Sequence, residues 1–281
     1  FLLAFFVDYV IVEIFFSFAP IYLLLHHLLF LYQIVHHNML ELNNVSKSFK
    51  KVTVVDNLSF SVDKGEIVGL LGENGAGKTT TLRMISTMLE ISEGDIKVND
   101  INVKSDPEKV RKEIGILFGG DVGLYDRLTG RENIRYFANL YGMSKKEADE
   151  RIDILAKSFE MEDYINKPVG KYSRGMKQKI SVARSIVHNP SVMLFDEPTT
   201  GLDVSAARIV QDFILQCKKE NKIILFSSHS MKEVEKLCDR VVIINKGKLL
   251  ENCTLPQLKE KYNNTDLEET FLTLIGGNTN E

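Results

Sequence analysis

The sequence has too few cysteines for a disulfide framework or a zinc site. Its three cysteines are Cys217, Cys238 and Cys253, and no two of them have CxxC spacing. Disulfide-rich domains carry several pairs of cysteines, and zinc sites need closely spaced cysteines or histidines. We therefore expect free thiols in a reducing compartment.

An excess of positive charge is also lacking. The chain has 35 Lys and Arg residues against 38 Asp and Glu residues, and no internal repeat or low-complexity tract interrupts it. Proteins that bind nucleic acid present a basic face to the phosphate backbone. The balance of charges therefore predicts that nucleic acid is not a partner.

Residues 1–38 contain no Lys, Arg, Gly or Met and carry only two charges, on Asp8 and Glu13. Residues 14–35 are mostly apolar and match the roughly 20 residues that span a bilayer. Two histidines and a proline make this run a poor lipid-facing helix. Because Met39 directly precedes a well-formed domain, we interpret residues 1–38 as upstream sequence read in frame, with a membrane anchor as the alternative.

From residue 39 the pattern alternates between strands and helices. The β-branched runs "LELNNVSKSF" and "VTVVDNLSFSV" predict a small antiparallel sheet, and "EIVGLL" predicts a buried parallel strand. "SVMLFDEP", "KIILFSS" and "RVVIINKGKLL" continue the strands, with helices between them. We predict an α/β fold, a doubly wound core over residues 39–281.

Two capping boxes mark a helical insertion in that core. Thr129 with Glu132 and Ser144 with Glu147 have the spacing in which the two side chains satisfy the backbone at a helix start. We therefore predict a mainly helical block at about residues 121–189.

A glycine-rich stretch follows the predicted strand "EIVGLL". "GLLGENGAGKTT" matches the P-loop pattern, whose backbone N–H groups and following helix N-terminus surround phosphate oxygens. We predict that Lys78 contacts the β- and γ-phosphates of ATP and that Thr79 holds Mg²⁺. The predicted ATP-binding residues of this loop are Gly72, Glu73, Asn74, Gly75, Ala76, Gly77, Lys78, Thr79 and Thr80.

An acidic pair ends the later strand "VMLFDEP". Asp196 occupies the Walker B position, where a carboxylate contacts Mg²⁺, and Glu197 follows at the place of a general base that polarises the attacking water. Ser173 in "YSRGMKQK" is a natural N-cap, so the helix after it presents its positive end outward, suited to a phosphate. An ordinary helix cap is the alternative.

Together these motifs resemble the ATPase subunit of an ATP-binding cassette (ABC) transporter. The resemblance covers the chain from Met39 onward. It implies a P-loop NTPase core of the RecA type, with a small antiparallel β subdomain and an inserted α-helical subdomain. "YSRGM" stands where the family has its LSGGQ-type signature, which implies that Ser173, Arg174, Gly175 and Met176 bind the ATP of a second subunit.

The same resemblance implies roles for three further residues. Asp203 in "TTGLD" matches the D-loop that couples two sites across a dimer, and His229 in "ILFSSHS" matches the switch histidine that contacts the γ-phosphate and the catalytic Glu. Phe49 stands where the family has an aromatic ring that stacks on adenine; packing between strands is the alternative. His188, by contrast, is expected to be a surface loop residue.

One position departs from the family pattern. A Gln that touches Mg²⁺ is usual after the strand "IGILF", but this chain has Gly119 there. Either Asp121 takes the polar role as a further metal ligand, or the glycine pair makes a hinge. "LFGGDVGLYDRLTGREN" and "KYSRGMKQK" are similar to ATPase subunits of bacterial sodium-extrusion ABC exporters, which carry glycines here too.

The resemblance thus implies an ATPase at the cytoplasmic face of the membrane. It would bind ATP and Mg²⁺, form a homodimer and drive a separate transmembrane permease, with Na⁺ as the candidate cargo. An exporter of drugs, peptides or polysaccharides is the first alternative, and a non-transport ABC ATPase or a non-hydrolysing regulatory module are more distant ones.

Overall fold

The computed structural model describes residues 39–118 and 123–276. The interpretations given above for residues 1–38, Gly119 and Asp121 lie outside these residues. The described strands are β1 (Leu40–Phe49), β2 (Val52–Val62), β3 (Ile67–Leu71), β4 (Glu93–Val98), β5 (Ile101–Asn102), β6 (Ile114–Leu117), β7 (Val192–Asp196), β8 (Ile223–Ser227), β9 (Arg240–Asn245) and β10 (Lys248–Thr254).

The helices, numbered in chain order, are α1 (Lys78–Ile85), α2 (Pro107–Glu113), α3 (Gly130–Leu140), α4 (Lys145–Ser158), α5 (Arg174–Ser185), α6 (Val204–Lys219), α7 (Met231–Leu237), α8 (Leu255–Lys261) and α9 (Leu267–Gly276). Within the described part of the chain, no helix is long and apolar enough to cross a bilayer.

Two sheets form the framework. The smaller is antiparallel, in the order β2-β1-β4-β5, and the larger has the order β10-β9-β3-β8-β7-β6. In the larger sheet β9, β3, β8, β7 and β6 are parallel, and β10 joins antiparallel through a hairpin. Lys246 and Gly247, at the hairpin turn, both have positive φ angles, which a tight turn of this hand requires. The predicted α/β fold is confirmed.

Both faces of the parallel sheet are covered, which explains its continuous apolar strands. In β3, Val68 and Leu70 pack into a cluster with α1 and the antiparallel sheet. Ile67 and Leu71 point to the opposite face and pack into a cluster with the helices α3 to α5. Because side chains alternate along a strand, a strand that is covered on both faces is apolar at every position.

Helices α3, α4 and α5 lie between β6 and β7 in the chain. Both predicted capping boxes are confirmed: Glu132 N–H donates to the side chain of Thr129, and Glu147 N–H donates to the side chain of Ser144. The sequence analysis did not predict the short helices α2 and α8. The first begins at Pro107, and the second has its own capping box from Thr254.

His188 is not the surface loop residue that we expected. Its ring stacks on Tyr141 with centroids 3.6 Å apart, and its Nε2 lies 3.1 Å from the Ile114 carbonyl oxygen. A carbonyl only accepts, so Nε2 carries the ring proton. Burial lowers the pKa of His188 to about 4. The prediction failed because Tyr141 and Ile114 come from other parts of the chain.

Candidate functional site

The P-loop connects β3 to α1 and borders an open cleft. Gly75 and Gly77 have φ angles of 84° and 108°, which side-chain-bearing residues rarely adopt. A Cβ at Gly77 would lie 2.9 Å from the Val54 carbonyl oxygen. The cleft is lined by Val54, Glu73, Asn74, Gly75, Gly77, Lys78, Thr79, Thr80 and Glu197. Glycine-dependent backbone ahead of a helix N-terminus fits the phosphates of ATP.

Lys78 is buried at the start of α1, at one wall of the cleft. Its Nζ donates to the carbonyl oxygens of Gly72, at 2.6 Å, and Glu73, at 3.0 Å. Burial lowers the pKa of Lys78, while the charges of Glu197 and Asp196 oppose that decrease. The ammonium group is therefore held within the loop that would surround the phosphates, and its contact with them stays a prediction.

Thr79 and Asp196 lie side by side. Thr79 Oγ1 donates to Asp196 Oδ2 at 2.8 Å, and Ser227 Oγ donates to Asp196 Oδ1 at 2.6 Å. Within the residues that the structure describes, no three His, Cys, Asp or Glu side chains are grouped as a protein-only metal centre. One hydroxyl and one carboxylate suit Mg²⁺, which keeps several waters and takes further oxygens from substrate phosphates.

Glu197 and His229 form a close pair at the edge of this cleft. Glu197 Oε1 lies 2.5 Å from His229 Nε2, and Thr200 Oγ1 donates to Glu197 Oε2 at 3.3 Å. Glu197 has a φ of 52°, an uncommon conformation for a residue with a side chain. Its backbone N–H donates to the Ser227 carbonyl oxygen at 3.1 Å. The structure thus brings the predicted base and the predicted switch histidine together.

The signature residues begin α5. Ser173 is its N-cap, because its side chain accepts from Met176 N–H at 3.2 Å, so the predicted cap is confirmed. A Cβ at Gly201 would overlap the Arg174 guanidinium, and a Cβ at Gly175 would lie 3.8 Å from Asp203 Oδ2. None of the four signature residues is among those that line the P-loop cleft. The signature therefore packs against the D-loop of its own chain instead of facing this cleft.

Two predicted site residues have other contacts in this structure. Asp203 is the N-cap of α6 and accepts from Ala206 N–H at 2.9 Å. Phe49 lies at the β1–β2 hairpin with 45% of its surface exposed, and Lys47 Nζ lies 5.1 Å from its ring centroid. The residues that line the cleft include Val54 of the same hairpin but not Phe49. Coupling by Asp203 and adenine stacking by Phe49 stay predictions.

The sequence analysis missed the polar residues that support the site. Ser227 pairs with Asp196 in the parallel register of β7 and β8. Ser228 and Thr199 both donate to Glu233, and Gln178 of α5 donates to the Pro198 carbonyl oxygen at 3.0 Å. A signal existed for Ser227 and Ser228: both stand where a strand ends beside the strand of Asp196, and the ends of parallel strands meet at one edge.

Comparisons with known proteins show the family to which the chain belongs. Residues 55–200 match the family model described as ABC transporter. The ABC transporter ATP-binding protein NatA of Bacillus subtilis (strain 168) is 47% identical over 241 residues, which cover 84% of this chain and 98% of NatA.

Two solved structures share the fold. One, described as the ATP-binding subunit of an ABC transporter, has a TM-score of 0.78 and 30% identity, and the match covers 84% of this chain and 99% of that one. The other is the ATP-binding cassette MJ0796, a dimer in a post-hydrolysis state bound to ADP and Pi. Its TM-score is 0.70 at 24% identity, covering 76% of this chain and 98% of that one, and at this identity it supports the fold alone.

The fold and the P-loop site define a P-loop ATPase. More particularly, the chain belongs to the ABC transporter family: it is an ATP-binding subunit, and its ATP hydrolysis is coupled to transport. The prediction of the family and that of an ATPase are both confirmed.

Proposed function

We propose that Glu197 and His229 carry out ATP hydrolysis in this chain, as the motor of a sodium exporter. The observation that carries the proposal is their 2.5 Å contact, next to a cleft that Lys78 and Thr79 also line. A general base must reach the water that attacks the γ-phosphate. Glu197 lines the cleft and is aligned by the His229 N–H, so its carboxylate is placed to take the proton.

The phosphates occupy the P-loop. Backbone N–H groups of Gly75 and Gly77 and the ammonium of Lys78 neutralise their charge. Thr79 and Asp196 would hold Mg²⁺, which would supply further positive charge to the phosphate oxygens. Water forms the new bond to the γ-phosphorus, the bond to the β-phosphate oxygen breaks, and Glu197 receives the proton, so that ADP and phosphate result.

A second copy of the chain completes each site. Ser173 begins a helix whose positive N-terminus is suited to a γ-phosphate, but none of the signature residues lines the chain's own cleft. In a head-to-tail dimer, the signature of one copy faces the P-loop of the other. The dimeric state of MJ0796 is in line with this arrangement. Two MgATP are then trapped between the copies, and hydrolysis reopens them.

The dimer drives a separate permease at the cytoplasmic face of the membrane. The helical block of α3 to α5 transmits the opening and closing of the dimer to this permease. Na⁺ is the cargo that we propose, on the resemblance of "LFGGDVGLYDRLTGREN" and "KYSRGMKQK" to ATPases of sodium-extrusion exporters. Because the permease chooses the cargo, a transport measurement is needed to test the ion.

The test is ATP-driven uptake of ²²Na⁺ into inverted vesicles. The vesicles come from cells that express this chain with the membrane protein encoded beside it. We expect uptake with the wild-type chain and its loss with Lys78→Ala, because the phosphates lose their buried cation. Lys64→Ala, which removes an exposed lysine before β3, is the matched control and should keep the uptake.

Two outcomes would contradict the proposal at different points. ATP turnover without Na⁺ movement would discard sodium and direct the search to drugs, peptides or polysaccharides. Na⁺ uptake that survives Lys78→Ala would show that this chain does not power it.

A further inference from the structure

We propose that Glu233 is a positioning residue for ATP hydrolysis, because its carboxylate ties the turn after Glu197 to the strand end that carries His229. The inference rests on the roles proposed above for Glu197 and His229. Neither the P-loop motif nor the Asp-Glu pair includes Glu233.

Glu233 lies in the first turn of α7, and only 5% of its surface is exposed. Its Oε1 accepts from Thr199 Oγ1 at 2.8 Å, and its Oε2 accepts from Ser228 Oγ at 2.6 Å. Gln211 Nε2 of α6 also donates to Oε1, at 3.1 Å. A buried carboxylate that is held by two hydroxyls and one amide fixes the groups that donate to it.

The two hydroxyl donors belong to the two segments that carry the reactive pair. Thr199 follows Glu197 by two positions, and its carbonyl oxygen accepts from Leu202 N–H at 3.1 Å, which closes the turn. Ser228 directly precedes His229, and its Oγ also accepts from Ser230 N–H at 3.1 Å. Glu233 therefore joins two segments that come from different strands, β7 and β8.

The reactive side chains need this support because water surrounds part of them. The side chain of His229 is 47% exposed and that of Glu197 is 25% exposed, so packing alone leaves them freedom to move. Their contact requires that the two backbones keep a fixed separation, and a misplacement of about 1 Å can cost two orders of magnitude in rate. The buried hydrogen bonds of Glu233 with Thr199 and Ser228 fix this separation.

The three donors give a test that separates positioning from general stability. Thr199→Val and Ser228→Ala each remove a donor that lies close in the chain to Glu197 or His229. Gln211→Ala removes a donor on α6, a helix that carries neither of these reactive residues. We expect about a tenfold loss of kcat in the first two variants and no loss in Gln211→Ala. The Kd for ATP should stay within about twofold of wild type in Thr199→Val and Gln211→Ala, because neither residue lines a cavity with the P-loop.

Two changes at Glu233 itself complete the series. Glu233→Gln keeps the shape and one acceptor oxygen, and the Ser228 hydroxyl can turn to accept from the amide. Glu233→Ala leaves both hydroxyls without their acceptor. We expect kcat to fall in both, more in Glu233→Ala, again with the Kd for ATP unchanged. Glu235→Gln is the matched control. Glu235 is an exposed residue of the same helix, α7, and forms an ion pair with Lys259.

The measurements are kcat, Kd for ATP and the unfolding temperature of each full-length chain, with Glu197→Gln as the reference for lost turnover. Equal kcat in wild type, Thr199→Val, Ser228→Ala and Glu233→Gln would overturn the inference. So would a loss of kcat in Gln211→Ala that matches the other two, because it would indicate a purely structural network. If Glu233→Ala does not fold, the other variants still test whether Glu233 positions the reactive pair. Rapid turnover in Glu197→Gln would instead overturn the proposed base, and the inference with it.

Discussion

At the scale of single residues, Glu197 shows how the fold fixes the geometry of its site. A residue with a side chain costs about 1–2 kcal/mol in the left-handed conformation, and Glu197 adopts it with a φ of 52°. Its N–H is bound by the Ser227 carbonyl oxygen at 3.1 Å, so the adjacent strand imposes the bend. The bend turns the carboxylate toward the cleft and His229, which is the direction that a general base requires.

His188 is a second residue whose state is set by packing. Its pKa of about 4 lies below the ordinary value of 6.5, so between these two pH values the unfolded chain binds a proton that the folded chain does not. The free energy of unfolding therefore falls as the pH falls through this window, by roughly 2–3 kcal/mol from this residue.

The prediction is tested with His188→Phe, which keeps a ring to stack on Tyr141 but cannot take a proton. We expect the difference in unfolding free energy, wild type minus variant, to decrease by roughly 2–3 kcal/mol between pH 7 and pH 4. Urea unfolding at a series of pH values measures it. A difference that stays constant over this range would contradict the low pKa of His188.

At the scale of the elements, the P-loop requires a glycine at position 77. Gly77→Ala would strain a φ of 108° and place a Cβ 2.9 Å from the Val54 carbonyl oxygen, so the backbone must move. We expect the Kd for ATP to rise at least about tenfold, because the N–H groups of the loop lose their common direction.

Gly142→Ala is the matched control for this change. Gly142 also has a positive φ, of 77°, but a Cβ there would meet nothing within 4 Å. We expect it to cost about 1 kcal/mol of stability and to leave the Kd unchanged. Calorimetric titration with ATP compares the two variants, and equal affinities would show that the P-loop tolerates the added Cβ.

The sequence predicted the elements whose signals are local. The buried strands and both capping boxes each depend on a few adjacent residues. Helix α1 ends at Ile85, and Thr87, two residues on, has a φ of 62°. The short helices α2 and α8 have too few turns to show a helical period.

The predicted and the missed site residues differ in the same way: the predicted ones have a local signal in the sequence, and the missed ones do not. Lys78, Asp196 and Glu197 belong to compact motifs. Lys78 and Glu197 line one cleft, and Asp196 accepts from Thr79, which lines the same cleft. Ser227 contacts Asp196, and Thr199 contacts Glu233, only when β7 and β8 pair in parallel. A pairing between distant segments leaves no spacing to read in a single sequence.

At the scale of the whole molecule, the site is divided between two surfaces of the chain. The P-loop cleft holds the groups that we propose to bind and hydrolyse ATP, while the signature at the start of α5 packs against its own D-loop at Gly201 and Asp203. In the dimer that we propose, this contact would provide a route that couples hydrolysis at one cleft to the other.

The last prediction concerns the assembly of two copies. Ser173→Ala removes the cap of α5, so the helix N-terminus that would face the second ATP loses its order. In a Glu197→Gln background, where ATP persists, we expect ATP-induced dimerisation to weaken by at least about tenfold, with the Kd of the monomer for ATP unchanged. Sedimentation equilibrium with and without ATP measures the dimer.

Ser144→Ala separates this effect from simple loss of a helix cap. Ser144 caps α4 in the same helical block through an equivalent bond to Glu147 N–H, so both variants should lose a similar stability, of about 1 kcal/mol. Only Ser173→Ala should weaken the dimer, because only its helix begins with the signature. Equal dimerisation in the two variants would mean that the α5 N-terminus does not bind the second nucleotide, and that the two copies meet through another surface.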